Sequence, residues 1–529
     1  MRKRIGVLAV LAVFTVGLAL RTAYLYWSPL PATLDGFRYA RLAAEVSPSL
    51  TATDIQSDEL VTTLLLTAAG QVTGVRTLTL AQPFVAVAGA ATGLTGMALA
   101  ARTAPRLGVD RRAAALLTGF TLTVSGMVLR RTGVPDEELF AILLLPVFLL
   151  AAAQAFRTRR RAWLAVLVLL ALAYPPLHNL SSLIAVVSLA ALATWALVRD
   201  PRPRAAALPL ASSLGFAAYF AGYYTVAERV GLELTYSGLV REYPGALLAW
   251  VCLLVVLVTW FVGTGHTGRR LALGAAMGSL FLVAAVNLVV PVFPGTTETP
   301  PVVFGLVALF VVPVGLAVWG GGSIGRTGAL LAAVAGPLAV VWFALTTSPG
   351  IQFFGTVIRA QTFAHPGVFA LAALVALRVR TRWRTVAVVA LVLAAVASVP
   401  FAYIHLDTGT APKTVQPTEF AAISFATDHT DRYVADHRLS RPGPLYYAAG
   451  NASVNSAREW LRGGPPPDCP TLLVRSWVTQ GAHFYPLPAE TLDAGRYNRF
   501  RAGNDLVYSS GGTPAAAVVA PGDCEPTAT

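Results

Sequence analysis

Four acidic residues lie at the ends of long apolar stretches, where a carboxylate can meet a reacting group at a lipid surface. Asp35 stands in the run Leu-Asp-Gly-Phe-Arg-Tyr-Ala at 34–40, and Asp136, Glu137 and Glu138 follow one another. A carboxylate at such a position is partly desolvated, which raises its basicity, and general-base catalysis uses that property. The positions therefore predict proton transfer by these carboxylates. Simple solvation of a loop is the alternative for each of them.

Three arginines and one histidine occupy similar positions. Arg359 is the one charged residue in the stretch 347–363, and Arg130 and Arg131 precede Asp136 by a few residues. A guanidinium group matches the geometry of phosphate, so we expect a lipid-linked phosphate to bind there, with a side chain that snorkels to the interface as the alternative. His178 follows an apolar stretch and predicts a second proton-handling or donor-binding group, or else a polar helix end.

The elements that carry these residues belong to a membrane protein. The chain has 529 residues, of which 55% are hydrophobic and 12% charged, against about 25% charged in soluble domains. This composition excludes a set of soluble domains, and it excludes disorder because disordered chains are poor in apolar residues. The net charge of +14 comes almost entirely from arginine.

Thirteen stretches are long and apolar enough to span a bilayer, which takes about 20 residues. We predict spans at 5–26, 78–100, 113–129, 139–156, 162–177, 180–198, 205–226, 245–263, 271–292, 302–319, 328–346, 361–377 and 385–404. Two prolines, Pro175 and Pro176, break the run 162–198 into a hairpin. The apolar run 60–75 is predicted to be an interfacial helix.

The distribution of charge predicts the orientation. With the N-terminus in the cytoplasm, the cytoplasmic segments contain 21 basic residues and the outer loops contain 7, as the positive-inside rule requires. The net charge is thus an orientation signal, and no nucleic-acid partner is expected. Twelve of the fourteen acidic residues before position 405 then lie on the outer side. We expect a multi-pass protein of the cell membrane with an extracytoplasmic C-terminal domain.

The composition changes after Ile404, which predicts a transmembrane catalytic domain at 1–404 and a separate domain at 405–529. Short apolar runs at 471–474 and 505–508 predict strands in a small α/β domain. Cys469 and Cys524 could form a disulfide on the outer side or remain free thiols.

This layout resembles the GT-C superfamily of membrane glycosyltransferases, which includes oligosaccharyltransferases and dolichyl-phosphate-sugar-dependent transferases of archaeal type. The first outer loop carries an acidic-then-tyrosine motif at Asp35 and Tyr39, and the loop between spans three and four carries a second acidic motif at 135–138. Oligosaccharyltransferases have a Trp-Trp-Asp signature in the outer domain, which this tail lacks. The resemblance therefore favours transfer of a single sugar over transfer of a whole oligosaccharide.

The resemblance implies a fold, an activity and a set of site residues. The fold is a polytopic helical membrane protein with a small C-terminal α/β domain. The activity is transfer of a sugar from a polyprenyl- or dolichyl-phosphate donor in the bilayer to a hydroxyl of a glycan or protein acceptor, with Asp35 as general base. The site residues expected are, as catalytic groups, Asp35, Asp136 and Glu137, and, as substrate-binding groups, Tyr39, Arg131, His178 and Arg359.

Two questions stay open at this stage. Single-sugar transferases of the superfamily need no metal whereas the oligosaccharyl type does, so no cofactor is certain, and a Mg or Mn ion bound by Asp35 and Asp136 remains an alternative. A multi-pass transporter or a lipid-linked glycan flippase is the second functional class. Such proteins place ionisable residues in mid-membrane, whereas the predicted span centres here hold almost none. A non-catalytic envelope protein is a third class.

Overall fold

The computed structural model of the protein describes residues 6–46, 58–229, 240, 242–294, 296, 298–325, 327–347, 350–404, 406, 414–484, 489–512 and 515–521. The helices up to residue 229 are α1 (Val7–Thr22), α2 (Tyr24–Trp27), α3 (Asp35–Glu45), α4 (Leu60–Thr73), α5 (Thr77–Ala90), α6 (Thr92–Thr103), α7 (Arg111–Val124), α8 (Gly126–Thr132), α9 (Glu138–Thr158), α10 (Arg161–Ala173), α11 (Asn179–Arg199) and α12 (Pro203–Arg229).

The bundle continues to residue 397. Its remaining helices are α13 (Pro244–Gly263), α14 (His266–Val286), α15 (Pro301–Ala308), α16 (Val311–Trp319), α17 (Gly321–Ile324), α18 (Gly328–Thr347), α19 (Ile351–Ala360), α20 (His365–Arg378) and α21 (Thr381–Ala397). The C-terminal part contains α22 (Pro417–His429), α23 (His437–Ser440), α24 (Val454–Leu461), α25 (Ser476–Thr479) and α26 (Ala494–Ala502), with strands β1 (Tyr433–Val434), β2 (Ala452–Ser453), β3 (Thr471–Val474), β4 (Asp505–Ser509) and β5 (Ala516–Ala520).

The polytopic helical fold predicted from the sequence is confirmed. Within the described ranges, eleven helices are long and apolar enough to cross a membrane, and the pair α7 and α8, bent by 68°, would make twelve. The remaining predicted span corresponds to α10, whose 13 residues reach about 20 Å at 1.5 Å per residue. A bilayer core is about 30 Å thick, and the turn 174–177 completes the path back to His178, which lies beside Glu137 just before α9.

The helices divide into an inner and an outer set. Helices α11, α18 and α20 are mostly buried by their neighbours, whereas α12, α13 and α14 leave large aliphatic and aromatic side chains exposed. Exposure of so much apolar surface is unfavourable in water and is expected where the solvent is lipid. The outer set therefore faces the bilayer.

The C-terminal part forms a five-stranded mixed sheet in the order β2-β1-β3-β5-β4. Strand β1 is parallel to β2 and β3, and β5 is antiparallel to β3 and β4. The two predicted strands correspond to β3 and β4, and the small α/β domain is confirmed. Cys469, two residues before β3, is disulfide-bonded; Cys524 lies outside the described residues.

Helix α3 lies between the bundle and the sheet domain. Leu30, Leu34 and Phe37 belong to the hydrophobic core of the sheet domain, and the Phe37 ring stacks on Phe420 with centroids 5.4 Å apart. The Ser28 hydroxyl donates to the carbonyl of Val415 at 2.7 Å. The segment that carries Asp35 is thus held against the sheet domain, and this end of the bundle is called the sheet-domain end below.

Candidate active site

Glu138 is the centre of a charged cluster at the sheet-domain end. It is the first residue of α9 and is fully buried. Its Oε1 lies 3.2 Å from Arg359 Nη1 and 4.0 Å from His178 Nε2, and its Oε2 lies 3.7 Å from Arg131 Nη1. One carboxylate therefore holds two arginines from α8 and α19, which are more than 200 residues apart in sequence.

Asp136 lies beside the same arginines. Its Oδ2 is 3.5 Å from Arg131 Nη1, and its Oδ1 accepts a hydrogen bond from the Glu138 amide at 3.1 Å. Burial acts to raise the pKa of this carboxyl, but Arg359 and Arg131 outweigh it and hold the pKa of Asp136 below its ordinary value. The raised basicity expected for Asp136 is therefore wrong, because the sequence did not reveal the arginines that face it.

Glu137 behaves in the opposite way. Its Oε2 accepts a hydrogen bond from the Tyr39 hydroxyl, and its Oε1 lies 3.2 Å from His178 Nε2. Burial, reinforced by the charge of Asp136, raises the pKa of Glu137 well above its ordinary value. Burial likewise raises the pKa of Tyr39. Of the two neighbouring acids Asp136 and Glu137, it is Glu137 that shows the expected rise in basicity.

His178 joins this cluster from the tip of the hairpin between α10 and α11. It is fully buried and caps α11, since its Nδ1 accepts from the Ser181 amide at 3.3 Å and lies 2.6 Å from the Ser181 hydroxyl. An accepting Nδ1 places the proton of the neutral ring on Nε2, which faces Glu137. Burial lowers the pKa of His178, so the ring is neutral at physiological pH.

Asp35 is next to this cluster but exposed to solvent at the start of α3. The Thr33 hydroxyl donates to the carbonyl of Pro135 at 2.7 Å, and Gly36 packs so closely that a Cβ there would lie 3.0 Å from Pro135 Cβ. The first acidic motif therefore lies against the loop that carries Asp136. The desolvation expected for Asp35 is not found, because its side chain faces outward, where an acceptor could reach it.

Two further acids belong to the cluster and were not singled out from the sequence. Asp58 and Glu59 directly precede α4 and are buried. Glu59 lies 3.6 Å from Arg38, and burial raises the pKa of Glu59 to about 7. The amide of Val61 donates to the carbonyl of Pro176 at 3.1 Å, which fixes this segment to the hairpin tip. Both acids precede an apolar run, as Asp136–Glu138 do, and that pattern could have identified them.

Of the two residues proposed as metal ligands, Asp136 already faces an arginine and Asp35 is exposed. In the described part of the chain, no three or more His, Cys, Asp or Glu side chains are grouped so that they could hold one. Asp136 already faces Arg131, and Glu138 faces both Arg131 and Arg359. These guanidinium groups neutralise the carboxylates that a cation would need.

Comparison with solved structures gives the fold. No protein-family model and no curated protein sequence matches the chain. The chain is similar to the crystal structure of the oligosaccharyltransferase of Archaeoglobus fulgidus, determined with zinc and sulfate, with a TM-score of 0.51 and 12% identity over 84% of this chain. The chain shares the fold of that oligosaccharyltransferase, the GT-C fold.

The likeness to the oligosaccharyltransferase has a limited extent. The chain covers 62% of the length of that enzyme. ArnT from Cupriavidus metallidurans, solved in the apo state, also matches, with a TM-score of 0.38, 13% identity and 97% of each chain covered. At 12% identity, the likeness to the oligosaccharyltransferase shows the fold alone. The chemistry has to be argued from the residues of this chain.

Proposed function

We propose that the protein transfers a sugar from a polyprenyl-phosphate donor to an acceptor hydroxyl at the extracytoplasmic face of the membrane. The observation that carries this proposal is an exposed carboxylate, Asp35, next to a cluster in which one buried glutamate holds two arginines. Transfer from a lipid phosphate needs a group that takes the acceptor proton and cations that stabilise the leaving phosphate. The cluster offers both at one end of a GT-C fold.

The arginines suit the phosphate of the donor. The side chains of Arg359 and Arg131 are 21% and 18% exposed, and Glu138 orients both of them. A partly exposed guanidinium group with a fixed orientation binds phosphate without first losing its conformational freedom. We assign Arg359 and Arg131 to the donor phosphate, and their charge stabilises the anion that leaves as the glycosidic bond breaks.

An apolar groove offers room for the lipid chain of the donor. A cavity of about 420 Å³ lies between α13, α14 and α18 and is lined by aliphatic side chains with Trp250, Trp260 and Trp342. The chain passes from α18 into α19, which carries Arg359. A prenyl chain in this groove would bury apolar surface. This supports a donor whose lipid chain lies in the groove and whose phosphate binds Arg359 and Arg131.

Asp35 is the proposed general base. Its carboxylate takes the proton from the acceptor hydroxyl as the hydroxyl oxygen attacks the anomeric carbon, and the bond from that carbon to the phosphate oxygen breaks. The polyprenyl phosphate leaves as a stabilised anion, so the scheme requires no general acid. Asp136 orients Arg131, and Glu137 fixes Tyr39 and His178 beside the reacting groups.

Two observations support the extracytoplasmic placement. Cys469 in the sheet domain is disulfide-bonded, and disulfides persist mainly in oxidising compartments. The charge distribution of the loops agrees, with 21 basic residues assigned to the cytoplasmic side and 7 to the other. The sheet-domain end, with Asp35 and Arg359, would then face outward.

The alternative, a transporter or flippase, has less support. It requires a polar cavity at mid-depth in the bundle. Two cavities in the described part of the chain, of about 420 and 340 Å³, are lined almost wholly by apolar side chains. These cavities suit lipid chains better than a polar substrate.

The test uses purified protein in nanodiscs with radiolabelled dolichyl-phosphate mannose and glucose as probe donors. Release of dolichyl phosphate is measured for the wild type, Asp35→Asn and Arg359→Ala, with Asp200→Asn as a control, because Asp200 is an exposed acid outside the cluster. We expect losses on the order of 10²-fold or more for the first two variants and none for the control. Full activity of both site variants would refute the proposal.

Two companion experiments use the same protein. Treatment with EDTA should leave turnover unchanged if the arginines, and no metal ion, stabilise the leaving phosphate. A loss of turnover would show that an ion is bound. The surface glycans of a deletion strain, compared with those of the wild type, should lack one sugar. An unchanged glycan profile in the deletion strain would count against a transferase.

A further inference from the structure

Gln82 connects the two loops that carry the acidic motifs. It lies in α5 and is fully buried. Its Oε1 accepts a hydrogen bond from the amide of Ala32 at 3.1 Å, and its Nε2 donates to the carbonyl of Gly133 at 2.7 Å. Ala32 and Gly133 each stand three residues before an acid of the site, Asp35 and Asp136 respectively.

The two hydrogen bonds use both the oxygen and the nitrogen of the Gln82 side-chain amide. A side-chain amide inside a membrane-spanning helix is unfavourable unless its donor and its acceptor are both satisfied. Here each partner is a main-chain group of a different loop, 50 and 51 residues away from Gln82 in sequence. A hydrogen bond within the helix would not connect the two loops, whereas the side chain of Gln82 binds both of them.

The surroundings make Gln82 the link from the helical scaffold to both loops. Arg21 of α1 donates to the carbonyl of Thr132, which fixes the end of α8 but does not reach the Asp35 loop. The Thr33 hydroxyl donates to the carbonyl of Pro135, yet Thr33 is itself part of the first loop. Gln82 stands on α5, which packs against both α3 and α8.

We propose that Gln82 is a positioning residue for the transfer reaction, setting the separation between the loop of Asp35 and the loop of Asp136. This inference rests on the proposed function. Asp35 acts where the bond between the acceptor oxygen and the anomeric carbon forms. Arg131, which Asp136 orients, acts where the bond between that carbon and the phosphate oxygen breaks. A displacement of about 1 Å between such groups costs on the order of 10²-fold in rate.

Two substitutions distinguish the roles of the two hydrogen bonds that Gln82 makes with Ala32 and Gly133. Gln82→Leu removes both of them. Gln82→Glu keeps an oxygen that accepts from Ala32, while its second oxygen faces the carbonyl of Gly133 and donates to it only when protonated. The glutamate variant should therefore regain function as the pH falls, which a general loss of packing would not produce. Gln154→Glu is the matched control, since the side chain of Gln154 bonds Arg157 of the same helix and neither of the two loops among the described residues.

The first readout needs no substrate. Hydrogen exchange of the Ala32 amide is followed by mass spectrometry with residue-level fragmentation. Gln82→Leu should raise the exchange rate of this amide at least tenfold, because its acceptor is gone, and Gln82→Glu should leave it near the wild-type rate. An unchanged rate in the leucine variant would overturn the inference.

The second readout is turnover of the dolichyl-phosphate sugar that the wild type accepts. We expect Gln82→Leu to lower kcat on the order of 10²-fold with little change in KM, and Gln82→Glu to approach the wild type at low pH. Equal pH profiles for Gln82→Glu and Gln154→Glu would contradict the inference. Absence of turnover in the wild type would count against the proposed function alone, since the exchange result decides the link between the loops independently.

Discussion

The contact between Glu138 and Arg359 provides the most direct test of the charged cluster. Glu138 is fully buried, and its Oε1 lies 3.2 Å from Arg359 Nη1. At that distance, with an effective dielectric constant of about 20, the attraction is about 5 kcal/mol before desolvation is subtracted. Because the Arg359 side chain is 21% exposed, solvent screens part of it. We expect a coupling free energy of about 2 kcal/mol.

A double-mutant cycle measures this coupling. Glu138→Gln keeps the volume and removes the charge, and Arg359→Met keeps much of the apolar stem. Each single variant should lower the free energy of unfolding by about 3 kcal/mol, because it removes one of the opposite charges from a buried ion-pair cluster. The double variant should lose about 2 kcal/mol less than the sum of the single losses.

The assay is reversible unfolding of the purified protein in mixed micelles by titration with sodium dodecyl sulfate. Tryptophan fluorescence reports the transition, since ten tryptophans are distributed along the chain. Donor turnover is measured in parallel, and Glu138→Gln should lower it although Glu138 touches no substrate. Additive losses of unfolding free energy would show that the two side chains do not interact, and the reasoning about the cluster would be wrong.

Three further predictions concern other parts of the site. Burial raises the pKa of Glu59 from 4.5 to about 7, so the folded state binds the proton more tightly than the unfolded state. The free energy of unfolding should therefore fall by about 3 kcal/mol as the pH rises between these two values. Glu59→Gln should remove this pH dependence from thermal unfolding curves. A Cβ on Gly89 would lie 1.9 Å from the last carbonyl of α8, so Gly89→Ala should lower the unfolding midpoint, whereas Gly215→Ala, in open space, should not. Tyr39→Phe leaves a buried acceptor on Glu137 without its donor and should lower the free energy of unfolding by about 2 kcal/mol, measured by the same titration.

Much of the fold could be predicted because hydrophobicity acts locally. Long apolar runs must become helices in a bilayer, since no other element satisfies its own main-chain hydrogen bonds there. The same reasoning gave too long a helix for α10, which ends at Ala173, before Pro175 and Pro176. It also missed the 68° bend between α7 and α8, for which hydropathy carries no signal.

The membership of the candidate site could be predicted only in part, since Asp58 and Glu59 were not singled out, and its electrostatics could not be predicted. Position near a span end selected His178 and Arg359, and the family resemblance selected Tyr39. All three contact Glu137 or Glu138. The basicity of each acid depended on the charges that face it.

By itself, the sequence determined that the chain is a helical membrane protein with a small mixed domain, because the energy of transferring side chains into lipid depends only on local composition. It also determined which charged residues lie near the ends of spans. Only the tertiary structure decided that Glu138 holds two arginines while Asp35 stays exposed. Electrostatic energies depend on distances between groups far apart in the chain, and those distances exist only after the helices have packed.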